Sequence, residues 1–207
     1  SMSNPNLQQI PARDPVIGPM IRSLFLPEEG EQWAAIDFSQ QEPRILVHYA
    51  HVYGKMRGIE LDACQEFVQG VTNRLNDKSS AGSIRSILGR KCRFDLWEPD
   101  TFAMNKALPY RDAIKEYGET TRLKRAYTYK ALNRLIQASA ADMTKKAMVD
   151  IYKSGRLPMI QVHDELAMSV KNREEAEEIA KIMVGAVPLE VPSKCDVEIG
   201  DSWGEAK

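Results

Sequence analysis

Hydrophobic residues along this chain gather in short runs, and two of those runs are closed or interrupted by acids. Trp33-Ala34-Ala35-Ile36 has strand character and Asp37 ends it; Ser39 then predicts an N-cap for a helix from Gln40 to about Tyr53, with Pro43 tolerable in its first turns. Met159-Ile160-Gln161-Val162 and Leu166-Ala167-Met168-Ser169-Val170 predict two strands separated by His163-Asp164-Glu165, hairpin spacing that leaves Asp164 and Glu165 at the tip. Around these, an extended, proline-punctuated N-terminus runs through Phe25-Leu26, residues 86–94 predict a hairpin or strand–turn element, and residues 97–109 read as a loop. A helix is predicted over 120–154, ended by Gly155 and Pro158. Asn172, with Glu175 three residues on, predicts a capped helix to about Val184, and Leu189-Glu190-Val191 and residues 195–199 supply final strands. The sum is an α+β fold, a small and largely antiparallel sheet backed by helices, in a single domain over 1–207.

Composition narrows the class without naming a chemistry. A chain of 207 residues can bury a sizeable core in one domain. A net charge of -1 gives no global signature of a nucleic-acid partner, yet residues 115–153 hold nine Lys or Arg against four acids, which fits a solvated helix face or an anion-binding surface. Cys64, Cys92 and Cys195 are odd in number and widely spaced, pointing to a reduced, cytoplasmic setting. No apolar run approaches membrane-spanning length and no signal peptide is visible, so no membrane partner is expected. Oligomeric state is not legible.

The acids carry the candidate chemistry. If the strand and the hairpin are neighbours in one sheet, Asp37 and Asp164 converge, and their mutual repulsion calls for a cation. Mg²⁺ suits hard carboxylate oxygens and completes its shell with waters and substrate phosphates, so phosphoryl transfer is the implied reaction class.

The run Asp37-Phe38-Ser39-Gln40-Gln41-Glu42-Pro43-Arg44 resembles motif A of the family A DNA polymerases, the bacterial DNA polymerase I family and its phage relatives, and residues 161–166 resemble motif C. Residues 4–13 are similar to the family's entry into the palm, and residues 133–148, with Asn133, Gln137, Ala140-Ala141-Asp142 and Lys146-Ala147-Met148, to its primer-template helix. The family's motif B, a fingers helix with Arg, Lys and a following Tyr-Gly, has no counterpart: Tyr53-Gly54 and Tyr117-Gly118 are the only such pairs and neither follows suitably spaced cations. The resemblance therefore implies a palm without fingers, shortened near residues 68–71 around Gln69-Gly70, without thumb or exonuclease domains, and with Ser1-Met2 as a cloning remnant.

The resemblance also implies roles. Asp37, Asp164 and Glu165 are the candidate catalytic acids, with Asp37, Asp164 and the carbonyl of Phe38 holding two Mg²⁺ ions once nucleotide and DNA are present. Gln40 and Glu42 are candidate contacts to the incoming deoxynucleoside triphosphate, Glu42 excluding a 2′-hydroxyl. Arg13, Asn133, Gln137 and His163 are candidate contacts to primer-template DNA: the two amides, four residues apart on a helix, suit minor-groove acceptors, and His163 faces the primer end. Each residue has a plainer reading: a helix cap for Asp37, a turn histidine for His163, a surface glutamate for Glu42, surface amides for Asn133 and Gln137. The activity implied for the intact family is templated addition of a deoxynucleotide to a primer 3′ end, with little or none expected of this chain. A non-catalytic DNA-binding or structural palm, and a metal-dependent nuclease, are the alternatives.

Overall fold

The computed structural model describes residues 10, 14–59, 62–77, 82–103 and 105–206. The chain divides into two compact units, one of residues 1–44 and 143–207, the other of residues 45–142.

The first unit is built on a sheet of four strands, β1 (Gln32–Phe38), β7 (Ile160–Val162), β8 (Glu165–Val170) and β9 (Cys195–Gly200), in the order β7-β8-β1-β9 with every pairing antiparallel. β1 occupies an inner position because its run Trp33 to Ile36 is apolar on both faces and is buried on both. One face carries Trp33, Ala35 and Ala167, which pack with Ile160 and Trp203; the opposite alternation, Ala34, Ile36, Phe38, Leu166 and Met168, is also buried. Helix α6 (Arg173–Gly185) packs on β1, β8 and β9 through a stripe of Ala176, Ile179, Ala180 and Met183. Its predicted cap is present, the Asn172 side chain accepting the Glu175 amide at 2.9 Å; Glu175 reaches back to the Lys171 amide at 2.9 Å. After β9 the chain folds against helix α1 (Ile17–Arg22) and Phe25, whose ring meets Trp203 edge-on at 5.4 Å. Gly204 makes this possible: a Cβ there would collide with Ser23 Oγ and lie 2.5 Å from the Pro19 carbonyl.

The second unit joins the later part of α2 (Gln41–Arg57), α3 (Ala63–Asn76), a hairpin of β2 (Ser83–Arg85) and β3 (Lys91–Arg93), and the first part of α5 (Ala131–Lys153) around Phe67, Leu75, Phe94 and Leu135. Asp142 is buried beneath the hairpin, where it accepts from the Ser86 hydroxyl and, at 2.8 Å, from Arg90 Nε. Paired in this way, it avoids the cost of an isolated buried charge.

Several sequence expectations are corrected. Residues 97–109 are a loop only in part: 100–103 and 105–107 have no regular structure, but β4 (Leu96–Pro99) and β5 (Leu108–Pro109) bound them and join β6 (Leu123–Arg125) in an antiparallel sheet of order β5-β4-β6, and α4 (Tyr110–Tyr117) follows β5. The helix expected from residue 120 therefore begins at Ala131. Its cationic first residues instead pair across strands, Lys124 opposite Glu98 and Arg125 opposite Trp97. Helix α2 runs past Tyr53 to Arg57, where Gly58 at φ 67 supplies the left-handed turn that ends it. Leu189-Glu190-Val191 is no strand; prolines at 188 and 192 bracket it, and the Pro192 carbonyl accepts from Arg44 at 2.7 Å instead of a ladder partner. Glu165 is not at the hairpin tip. It opens β8, opposite Val162, leaving His163-Asp164 as the turn.

Candidate active site

Strand β1 delivers Asp37 to one end of the first unit's sheet, and its register does the rest. Asp37 lies directly across from Glu165 on β8 and from Asp196 on β9. Directly opposed residues project to the same face, so three carboxylates form a row across the strand end, with Asp164 in the adjoining turn. A row of like charges is unfavourable, and the structure handles its members differently.

The outer two are held. Glu165 Oε1 accepts the Trp203 indole N–H at 2.9 Å. Asp196 pairs with Lys194 at 3.0 Å and accepts the Ser39 hydroxyl, which holds its carboxyl below the usual range, the Lys194 bond counting most. Ser39 is thus engaged with the acid row and is not the cap of α2; Gln40, at φ 53, is the residue before the helix. Arg44 secures this sharp turn, donating from Nε to the Ser39 carbonyl at 2.9 Å.

The inner acid is left frustrated. Desolvation by the packed strand end, then the charges of Asp164 and Glu165, push the Asp37 carboxyl up from 3.8 to about 6, against one favourable bond from the Phe38 amide. The same field reaches Cys195, whose thiol is raised to about 12 by burial first and then by Asp37, Asp196 and Asp164. Among the described residues no cation pairs with Asp37 or Asp164, and no three His, Cys, Asp or Glu side chains are gathered as a ready-made ion cage. Two carboxylates and a main-chain carbonyl are nevertheless a hard-oxygen donor set that fits Mg²⁺, whose remaining ligands come from water and phosphate.

The other predicted residues fall as follows. His163 is exposed at the turn with φ 54, a strained placement for a non-glycine residue, and its carbonyl accepts Gln161 Nε2 at 3.0 Å. Gln40 and Glu42 are both exposed just beyond Asp37, Glu42 in the first turn of α2. Asn133 and Gln137 belong to the second unit and are exposed one turn apart on α5. Arg13 lies outside the described residues. Sequence reasoning passed over Asp196, Lys194 and Trp203; the alternation Cys195-Asp196-Val197 put an acid on β9, but only strand pairing shows that it meets Asp37.

Comparison with known proteins gives this geometry a context. Residues 1–56 and 60–205 match the model of a family described as DNA polymerase family A. The chain is 34% identical over 286 residues to a DNA-directed DNA polymerase of Pseudomonas phage M6, covering 100% of this chain and 43% of that protein. It is 28% identical over 269 residues to the thermostable DNA polymerase I of Thermus aquaticus, covering 100% of this chain and 31% of that one. The chain thus spans less than half the length of these relatives. A solved structure, the POL domain of Pol1 from M. smegmatis in complex with DNA primer-template and dNTP, shares the fold at a TM-score of 0.69 and 24% identity, over 99% of this chain and 45% of that one. A match that runs across almost every residue places this protein in DNA polymerase family A.

Proposed function

We propose that this chain is the palm, the catalytic-site region, of a DNA-directed DNA polymerase whose intact form adds deoxynucleotides to a primer 3′ end. The observation that carries the proposal is the frustrated Asp37 carboxylate, set between Glu165 and Asp196 and beside Asp164, which gains most from a divalent cation. Asp37, Asp164 and the Phe38 carbonyl would hold Mg²⁺. When bound, a pair of such ions stabilises the attacking and leaving oxygens of an in-line displacement at phosphorus. The chain's own contribution is positioning. Glu165, tied to Trp203, adds negative field without leaving its place, so its removal costs less activity than removal of either aspartate. Glu42 and Gln40 border the nucleotide, Glu42 disfavouring a 2′-hydroxyl; His163 and Arg13 meet the primer end, and Asn133 and Gln137 offer amides to the minor groove. Free thiols at Cys64, Cys92 and Cys195 support a reducing, cytoplasmic setting. No helix among the described residues is long and apolar enough to cross a membrane.

Within this reading the fingers are shortened near residues 68–71, around Gln69-Gly70. One observation supports a missing segment: the alignment with the phage relative extends over 286 residues against the 207 of this chain. A chain without a fingers helix lacks the cations that grip a triphosphate. Orientation of reactants is worth roughly 7 to 11 kcal/mol of barrier; forfeiting half slows the reaction by several powers of ten, at about 1.36 kcal/mol per decade.

The test is primer extension with Mg²⁺ and all four deoxynucleotides, alongside Mg²⁺ titration by calorimetry in the presence of primer-template and nucleotide. The expected result is ion binding that Asp37→Asn and Asp164→Asn each abolish, with little or no extension. Ion binding indifferent to both substitutions refutes the palm assignment. Robust extension that the double substitution abolishes keeps the palm and refutes the account of the fingers, whereas cleavage of end-labelled DNA identifies a nuclease.

A further inference from the structure

Glu165 stands where it could ligate an ion, yet the structure engages it elsewhere. Its partner across the β1–β8 ladder is Asp37, and directly opposed residues have Cβ atoms about 4.5–5.5 Å apart on one face, near enough for two carboxylates to share a cation. One oxygen, Oε1, is instead taken by the Trp203 indole N–H at 2.9 Å. A carboxylate that accepts such a charge-assisted bond must surrender it to turn toward an ion.

Trp203 is itself firmly held. It is 1% exposed, packs with Trp33, Ala35 and Ala167, and donates its main-chain N–H to the Phe25 carbonyl at 3.1 Å. Arg22, the last residue of α1, sets its guanidinium carbon 4.4 Å from the indole ring centre, and its Nε is buried with no hydrogen-bond partner among the described residues. The guanidinium is thus committed to the ring face. By drawing electron density from the indole it makes the N–H a stronger donor to Glu165. Core packing alone does not account for this contact. Trp33, in the same cluster and 3% exposed, has an indole N–H buried without a partner among the described residues, so this core accommodates an unpaired indole; the Trp203 N–H is aimed at the acid row.

We propose that Trp203, backed by Arg22, is a positioning residue that withholds Glu165 from an ion held by Asp37 and Asp164, a role that rests on the ion-binding reading of that row. Mg²⁺ in such sites takes one or two carboxylates and leaves its other positions to water and substrate phosphate; a third carboxylate would fill one of them and tighten the ion on the chain alone. Arg22, Asp37, Asp164, Glu165 and Trp203 all belong to the first unit.

The probe is Mn²⁺, a hard-oxygen substitute for Mg²⁺, titrated by calorimetry against the whole chain, first alone and then with primer-template and deoxynucleotide. Trp203→Phe keeps a ring in the core and removes the N–H, and should tighten Mn²⁺ binding to the chain alone by about 10- to 100-fold, the scale on which a partner behind a ligand alters ion affinity. Adding Glu165→Gln should cancel that gain. Arg22→Met, at a half-buried position, keeps the aliphatic cover of the ring; it should give a smaller gain, again only with Glu165 present, and move the Trp203 indole N–H resonance upfield in proton NMR. A Trp203 that only packs would, on substitution, leave ion affinity unchanged or lower it. Either result in a Trp203→Phe chain with native circular dichroism overturns the proposal, as does a gain that survives Glu165→Gln. If Trp203→Phe does not fold, the Arg22→Met gain and its loss with Glu165→Gln decide in the same way. Wild-type ion binding that ignores Asp37→Asn in the presence of nucleotide refutes the palm assignment and this role with it; where that dependence holds and the gain is missing, this role alone falls.

Discussion

At the residue scale, Asp37 shows how a site stores repulsion. Its folded-state pKa, about 6, lies above the ordinary 3.8, so folding favours the protonated acid; the stability gained is complete in acid and lost as pH rises through about 6. In metal-free buffer containing a chelator, thermal unfolding should therefore show a midpoint that declines between about pH 4 and pH 6. Asp37→Asn should flatten that decline and, with Asp37 partly solvent-screened, raise stability near neutrality by about 1 kcal/mol. Glu165 gives a complementary test. Glu165→Gln keeps an acceptor for the Trp203 N–H and lowers the repulsion on Asp37, so urea denaturation should find no loss, whereas Glu165→Leu leaves a buried donor unpaired and should cost about 1–3 kcal/mol. Asp37 and Asp164 were legible in the sequence because each sits at an apolar run with strand period. The partners that restrain the row were not: Trp203 reaches Glu165 from 38 positions away and Asp196 arrives on a separate strand.

At the element scale, local patterns succeeded where one face or cap decided the outcome and failed where a distant strand did. The Asn172 cap and the hairpin β7–β8 follow from adjacent residues alone, and Asn172→Ala should cost about 1 kcal/mol. Residues 120–130 look helical because Lys and Arg favour helices, yet β4 claims Leu123–Arg125 and Gly118 at φ 88 ends α4 beforehand. The segment after β9 offers a sharper test of packing. Gly204→Ala drives a methyl group into Ser23 and the Pro19 carbonyl, and should destabilise by about 1–3 kcal/mol in chemical denaturation, loosening the Trp203 contacts with it.

At the scale of the whole molecule, charge is the observable. A net charge of -1 hides the basic stretch between residues 115 and 153, so primer-template binding should be weak, sequence-independent and steeply salt-sensitive, with a log–log slope of about -0.9 for each phosphate neutralised. Filter binding across a salt series measures it, and a flat response would remove the basic surface from the account. The sequence by itself determined the α+β class, β1 with its terminal acid, the β7–β8 hairpin and the order of family motifs, because alternation, caps and apolar runs are local and survive without knowledge of neighbours. Tertiary structure alone decided that Asp37 stands between Glu165 and Asp196, that Ser39 serves the acid row and not the helix, and that Trp97 and Arg125 stack. Those outcomes depend on strand register, where a slip of one residue turns every side chain to the other face, and no local pattern specifies which strands will meet.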